Sequence, residues 1–182
     1  MSNMKDCSKF NIHDDYYTPR SAWTNIRHLI PDDKVIFEAC MLNSHKSQSP
    51  QYLKDTGLKV IYDTKLNILT DTPEEDYDII CTNPPYETNL KKQIFKRLVE
   101  IDKPFILIIN SMNIYARYMR EIFKDNFDKL QFVVPEGKIH FDKLDYETNE
   151  LIHKKNTSFY CIYMCYKMDL KNEDLWLSRD GE

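Results

Sequence analysis

At 182 residues the chain is expected to form one domain, with room for a single core and none for a separate target-reading domain beside a catalytic one. Hydrophobic residues at 42%, aromatics at 13% and a mean hydropathy of -0.60 predict a folded globule with a polar surface. A net charge of -4 is unusual for a protein that grips nucleic acid alone, so any nucleic-acid contact needs a local basic patch or a partner.

No apolar run approaches the ~18 residues that a membrane span needs, and no charged-then-apolar signal opens the chain. A cytoplasmic or other reducing interior is expected. The five cysteines are odd in number and include no Cys-x-x-Cys pair, which predicts neither a disulfide framework nor a metal site. Cys161 and Cys165 alternate along an apolar stretch and are assigned to the core.

Residues 1–13 lack periodicity and are expected to form a flexible arm. Pro19 suits the first turn of a helix through Ser21, Ala22, Trp23, Ile26, Leu29 and Ile30, ending before Pro31, with Trp23 among the core positions. Lys34 to Glu38 is the first strand. Pro50 to Thr56 forms a short helix capped by Gly57, and Leu58 to Tyr62 the next strand. Asp63 follows it, either as a turn residue or as an acid placed to bond both hydroxyls of a ribose. The acidic segment from Thr70 to Asp76 reads as a solvated loop.

Tyr77 to Thr82 is a short β-prone run, apolar at its centre, and predicts a buried parallel strand that empties into Asn83-Pro84-Pro85-Tyr86. Chemistry is expected where such a strand ends. Both prolines lack an N–H and hold φ near one value, so their carbonyls stay displayed. An amide oxygen on Asn83, the Pro84 carbonyl and the flat ring of Tyr86 together suit an exocyclic amine on a planar base. If the two oxygens accept the amine's hydrogens, its nitrogen can turn pyramidal and attack an electrophilic methyl group. A base stacked on Tyr86 gains roughly 1–3 kcal/mol.

Asn89 to Ile101 is predicted as an amphipathic helix with Leu90, Ile94, Leu98 and Ile101 inward and Lys91, Lys92, Lys96 and Arg97 outward. Pro104 to Ser111 is the central strand, and strand–helix–strand at this spacing indicates a crossover in a parallel sheet. Ile114 to Phe127 is helical and Leu130 to Val134 another strand. After the turn at Pro135-Glu136-Gly137, residues Lys138 to Phe141 form a short strand with Lys138 and His140 on one face. Those two are candidates for backbone or base contact, against a purely structural role for the histidine. Asp142 to Thr157 reads as a charged irregular loop in which Lys154 and Lys155 either touch nucleic acid or only line the surface. Ser158 to Tyr166 is the closing strand, and residues 168–182 are a polar tail.

Asn83-Pro84-Pro85-Tyr86 behind a buried strand resembles the catalytic motif of S-adenosylmethionine-dependent amino-methyltransferases, especially those acting on N6 of adenine. Asp15-Tyr16-Tyr17-Thr18-Pro19 is similar to the family's Tyr-Thr-Pro segment. Compact phage and large-virus adenine methyltransferases resemble the chain from about Asp14 to Tyr166. The resemblance implies an α/β, Rossmann-like class I methyltransferase fold: a mostly parallel sheet, helices on both faces and an antiparallel terminal strand. It implies S-adenosylmethionine held by Tyr17, Thr18, Pro19, Glu38 and Asp63, and nucleic-acid adenine as substrate. Relatives that methylate guanine N2 in RNA or a protein glutamine carry the tetrapeptide too.

The chain departs from the family at the cofactor turn, where Glu38-Ala39-Cys40-Met41-Leu42-Asn43-Ser44-His45-Lys46 holds no glycine and Met41 and Leu42 add bulk. Glu38 matches the acidic position, and Asn43 or Ser44 stands where relatives carry Asp or Gly. Two readings therefore stand side by side: an active enzyme acting on single-stranded or loosely specified targets, and a cofactor-less subunit that serves as the structural or nucleic-acid-gripping half of a heterodimer. A protein partner, in a homo- or heterodimer, could supply the cofactor site or target recognition.

Overall fold

The computed structural model describes residues 16–41, 44, 46–145, 147–148, 150–153 and 158–177. Its elements run β1 (Tyr16–Tyr17), α1 (Arg20–Thr24), β2 (Val35–Phe37), α2 (Ser49–Asp55), β3 (Lys59–Ile61), β4 (Ile79–Thr82), α3 (Thr88–Ile101) and β5 (Phe105–Asn110). They continue with α4 (Arg117–Phe123), β6 (Leu130–Pro135), β7 (Asp142–Leu144), β8 (Leu151–His153), β9 (Cys161–Tyr166) and β10 (Trp176–Leu177). The main sheet has seven strands in the order β10-β6-β9-β5-β4-β2-β3. Every neighbouring pair is parallel except those made by β9, which runs antiparallel between β5 and β6.

The apolar run at β5 shows why the sheet is central. Phe105, Leu107 and Ile109 project to one side with Phe95 and Leu98 of α3 and Met119 and Phe123 of α4. Ile106 and Ile108 project to the other with Trp23 of α1, Leu53 of α2 and Tyr163 of β9. A strand covered on both faces must be apolar at every position, and burying each large side chain contributes roughly 1.5–3 kcal/mol. Phe105 also stacks on Tyr166 across the β5–β9 ladder, with ring centroids 4.9 Å apart and planes 13° from parallel.

Local chemistry closes α2 where the sequence predicts. Gly57 adopts φ of +90° and donates its N–H to the Lys54 carbonyl at 2.9 Å, closing α2. Glu87, the residue after the tetrapeptide, caps α3 by accepting from the backbone N–H groups of Asn89 and Leu90 at 2.9 and 2.6 Å.

Several expectations are corrected. The helix expected from Ser21 to Ile30 splits into α1 and a 3₁₀ turn at Arg27–Leu29, and the one expected from Ile114 to Phe127 shortens to α4 behind a 3₁₀ turn at Ser111–Tyr115. Lys138 to Phe141 is not a strand: Ile139 and Phe141 are buried and Lys138 and His140 half-buried, as alternation predicts, but the ladder begins at Asp142. The loop from Asp142 onward contains the antiparallel pair β7–β8, which with β1 makes a three-stranded side sheet. β9 lies inside the main sheet, not at its end, because β6 pairs with its far edge and β10, from the expected polar tail, pairs with β6. The arm at 1–13, Asp14, Asp15, Leu42, Asn43, Lys154, Lys155 and the tail from 178 lie outside the described residues.

Because β2 has β3 on one side and β4 on the other, chain order reverses there, and the crevice beyond the carboxyl ends of β2 and β4 is the switch point where α/β sheets hold ligands. Glu38 follows β2 and Asn83 follows β4.

Candidate active site

The Asn83 side chain carries the most telling feature of that crevice. Its Oδ1 is buried and accepts no hydrogen bond. A buried acceptor left without a donor costs about 1–3 kcal/mol, so such an atom calls for an explanation such as a ligand's N–H. Pro84 is buried beside it, and Pro85 and Tyr86 are half-buried.

Tyr86 is held from several sides. Its ring lies 5.5 Å from Tyr16, 5.2 Å from Phe159 and 6.2 Å from Phe141, and its hydroxyl meets Cys161 Sγ at 3.3 Å. Burial pushes the Cys161 thiol up to about 11, so it stays protonated at neutral pH. Cys161 and Cys165 both lie in the core, as their alternation predicts. A hollow of about 450 Å³ opens here, lined by Tyr16, Tyr86, Tyr118, Phe159, Asn110 and Lys91 among others.

Lys91 corrects the reading of α3. It is 7% exposed, and its ammonium donates to the Tyr86 carbonyl at 3.4 Å. The buried face is 91, 94, 95 and 98, the i, i+3, i+4, i+7 pattern, while Leu90 and Ile101 lie half-buried at its margins. A lysine can join that face because its stem is apolar and only its tip needs polar surroundings. Of the other expected outward charges, Lys92 lies 5.1 Å over the Tyr118 ring and Arg97 donates to the Ile68 carbonyl.

Glu38 is 2% exposed, and both carboxylate oxygens are engaged, one by the Ser49 hydroxyl and one by that of Thr82. Trp23 Nε1 in turn donates to Ser49 Oγ at 2.8 Å, and the Cys40 N–H donates to Thr82 Oγ1 at 3.1 Å. Burial pushes the Glu38 carboxyl up to about 7, opposed by the hydroxyl donors. The network ties α1, α2 and the end of β2 to Thr82, the residue before Asn83. Met41 is buried and lines neither this hollow nor the one beyond β3.

That second hollow, about 400 Å³, is lined by Phe37, Ile61, Tyr62, Asp63, Leu66 and the acidic loop of Asp71, Glu74 and Glu75. Asp63 is exposed on it, and its Oδ1 accepts from the Lys65 N–H at 2.8 Å, so it also serves the turn.

Tyr17 is held by the pairing of β1 with β7, which sets Tyr16 opposite Lys143 and Tyr17 opposite Asp142, and Thr18 and Pro19 follow it. Thr18 and Pro19 are buried, and Tyr16 is the member of the segment that reaches the hollow. Lys138 lies over the Tyr160 ring at 4.4 Å. His140 has a buried Nδ1 without a partner, and its ring is 6.4 Å from that of His153, which bonds Asp142 at 2.8 Å. The structure thus sets Asn83, Pro84, Pro85 and Tyr86 in succession after β4 with Tyr86 lining the first hollow, Asp63 on a separate hollow, and Glu38 buried after β2. Sequence reasoning missed Tyr16, Phe159 and Lys91. For Lys91 the available signal was its i, i+3, i+4, i+7 spacing with Ile94, Phe95 and Leu98.

No family model matches the chain. A release factor glutamine methyltransferase from Flavobacterium psychrophilum is 33% identical over 97 residues, covering 50% of this chain and 32% of that protein. The chain thus spans about a third of the length of that relative. Among solved structures, the methyltransferase subunit of a type I restriction-modification system from Streptococcus thermophilus superposes with a TM-score of 0.50 at 12% identity, over 87% of this chain and 46% of that one. A protein provisionally described as a class I S-adenosylmethionine-dependent methyltransferase from Listeria monocytogenes gives 0.49 at 10% identity, over 93% and 67%. With a mostly parallel seven-stranded sheet flanked by helices on both faces, the chain has the Rossmann-like fold of class I S-adenosylmethionine-dependent methyltransferases.

Proposed function

We propose that this chain transfers a methyl group to the N6 amino group of adenine in DNA or RNA, using S-adenosylmethionine. The observation that carries the reading is the buried, donor-less Oδ1 of Asn83 at the carboxyl end of β4. With the Pro84 carbonyl beside it, that oxygen accepts the hydrogens of a planar amine and draws the nitrogen toward a pyramidal, nucleophilic geometry. Tyr86, buttressed by Tyr16, Phe141 and Phe159, offers its ring to the base. The surplus proton passes to water after transfer, so no strong base is required.

The cofactor, when bound, supplies an electrophilic methyl group. Asp63 would hold its ribose, with Phe37, Ile61 and Leu66 against its adenine. Tyr17, Thr18 and Pro19 would support it only through the packing of β1, and Glu38 only from beneath. Lys138, His140, Lys154 and Lys155 are assigned to the nucleic-acid strand. A base must leave a duplex stack to reach the mouth, at a cost of a few kcal/mol that a single strand largely avoids. The enzyme would act in a reducing cytoplasm, alone or with a partner that selects the target. No described helix is long and apolar enough to cross a membrane.

A second reading, methylation of a protein glutamine, is favoured by the release factor methyltransferase match. A glutamine amide is also a planar NH₂ that Asn83 could grip. Calorimetric titration with S-adenosylmethionine and its demethylated product, followed by methyl transfer to adenine oligonucleotides and to glutamine peptides, separates these readings. Binding followed by methylated adenine supports the proposal. Methylated glutamine alone would replace it, and absence of heat at millimolar ligand with the fold intact would leave only a cofactor-less binding module.

A further inference from the structure

The lip of the hollow beside Tyr86 has a composition that the transfer step does not use. Tyr160 is 60% exposed, Met112 68% and Tyr115 81%, although each belongs to or adjoins an ordered element. The Ser111 N–H donates to the Tyr160 carbonyl at 2.9 Å, which sets Tyr160 at the head of the 3₁₀ turn that carries Met112 and Tyr115. Phe159, the preceding residue, lines the hollow from inside, and Met112 lines it from the turn. The lip therefore continues the aromatic wall outward.

Positive charge accompanies it. The Lys138 ammonium lies 4.4 Å from the Tyr160 ring centroid and that of Lys143 4.3 Å from Tyr16, while Lys91 lines the hollow itself. The nearby acid Asp142 is engaged with His153. In a chain of net charge -4, three ammonium groups thus gather at the rings around this hollow. Exposed rings with ammonium groups beside them are what a single strand of nucleic acid uses, bases on the rings and phosphates toward the cations.

We propose that Tyr160, with Lys138 on its face and Met112 beside it, is a stacking platform for the nucleotide next to the target adenine, so that the occupant of this lip is a single-stranded oligonucleotide. The inference rests on the adenine reading and deepens it: the target enters the hollow at Tyr86 while its neighbour stays outside on Tyr160. Selection at that position would be by stacking, tolerant of base identity.

Fluorescence anisotropy competition with deoxyadenosine monophosphate, a thymidine–adenosine–thymidine trinucleotide and the same trinucleotide with abasic flanks tests this. The intact trinucleotide should bind more tightly than the mononucleotide, and Tyr160→Ala should erase about 5- to 150-fold of that advantage. Tyr160→Phe should retain it, as should Phe127→Ala, an exposed ring before β6 at the opposite end of the sheet. Abasic flanks should cost wild type the same factor and Tyr160→Ala nothing further. A full trinucleotide advantage in Tyr160→Ala, or none in wild type, would overturn the platform while leaving the adenine reading intact. Binding of a glutamine peptide with neither nucleotide bound would overturn both.

Discussion

Beyond β4, Asn83 presents a buried oxygen with no donor and Tyr86 opens onto a hollow walled by aromatic rings. Beyond β2, a few ångströms of sheet away, Glu38 is equally buried but has both oxygens taken by hydroxyls. One side of the crevice keeps unspent bonding capacity, and the other has turned its acidic residue into a brace for the first. The contrast teaches that a glycine-free turn after β2 coexists with an Asn83 acceptor left open after β4. The brace passes through Thr82 directly to Asn83, so the two sides fail independently only if that link is cut.

Removing the unspent acceptor should have the largest effect. Asn83→Ala should lower the rate of methyl transfer by about 10²–10³-fold, measured with labelled cofactor on an adenine oligonucleotide, with the circular dichroism unchanged. Next comes the brace. The Glu38 carboxyl, raised to about 7 by burial, holds its proton in the folded state while the unfolded chain releases it near the ordinary value of 4.5. Stability should therefore be highest below pH 4.5, so far as this group sets it, and fall as pH rises to about 7. The loss is on the order of 3 kcal/mol. Urea unfolding at several pH values should show that decline in wild type and not in Glu38→Gln.

On the cofactor side, Asp63→Ala should weaken S-adenosylmethionine by roughly ten- to a hundredfold in calorimetric titration, the worth of a charged hydrogen bond. Asp63→Asn should show whether its turn bond to Lys65 matters separately. Smallest is the cap that leads the chain away from the tetrapeptide: Glu87→Ala should cost about 1 kcal/mol, a few degrees in thermal unfolding, through the N–H groups of Asn89 and Leu90.

What could be read from the residues follows the same division. β4 and β5 announce themselves because strands covered on both faces must be apolar throughout, and Asn83 to Tyr86 is contiguous, so its residues can be picked out without tertiary information. β1, β7 and β8 are two or three residues each, half-polar, and exist only because Tyr16 finds Lys143 far along the chain. Local pattern cannot encode a partner at that distance. Lys91 misled for a related reason: a charged residue counts as outward until its neighbours reveal that a polar tip has a carbonyl and a hollow to serve. Of the segment Tyr16 to Pro19, the ring that reaches the hollow is Tyr16, one position before the Tyr-Thr-Pro run.

The most direct measurement compares two single strands that differ only in the target base, adenine in one and unsubstituted purine, which lacks the exocyclic amine, in the other. If Asn83 Oδ1 awaits an amine hydrogen, wild type should bind the adenine strand about tenfold or more tightly, and Asn83→Ala should bind the two alike. Equal affinity of wild type for both strands would contradict the account.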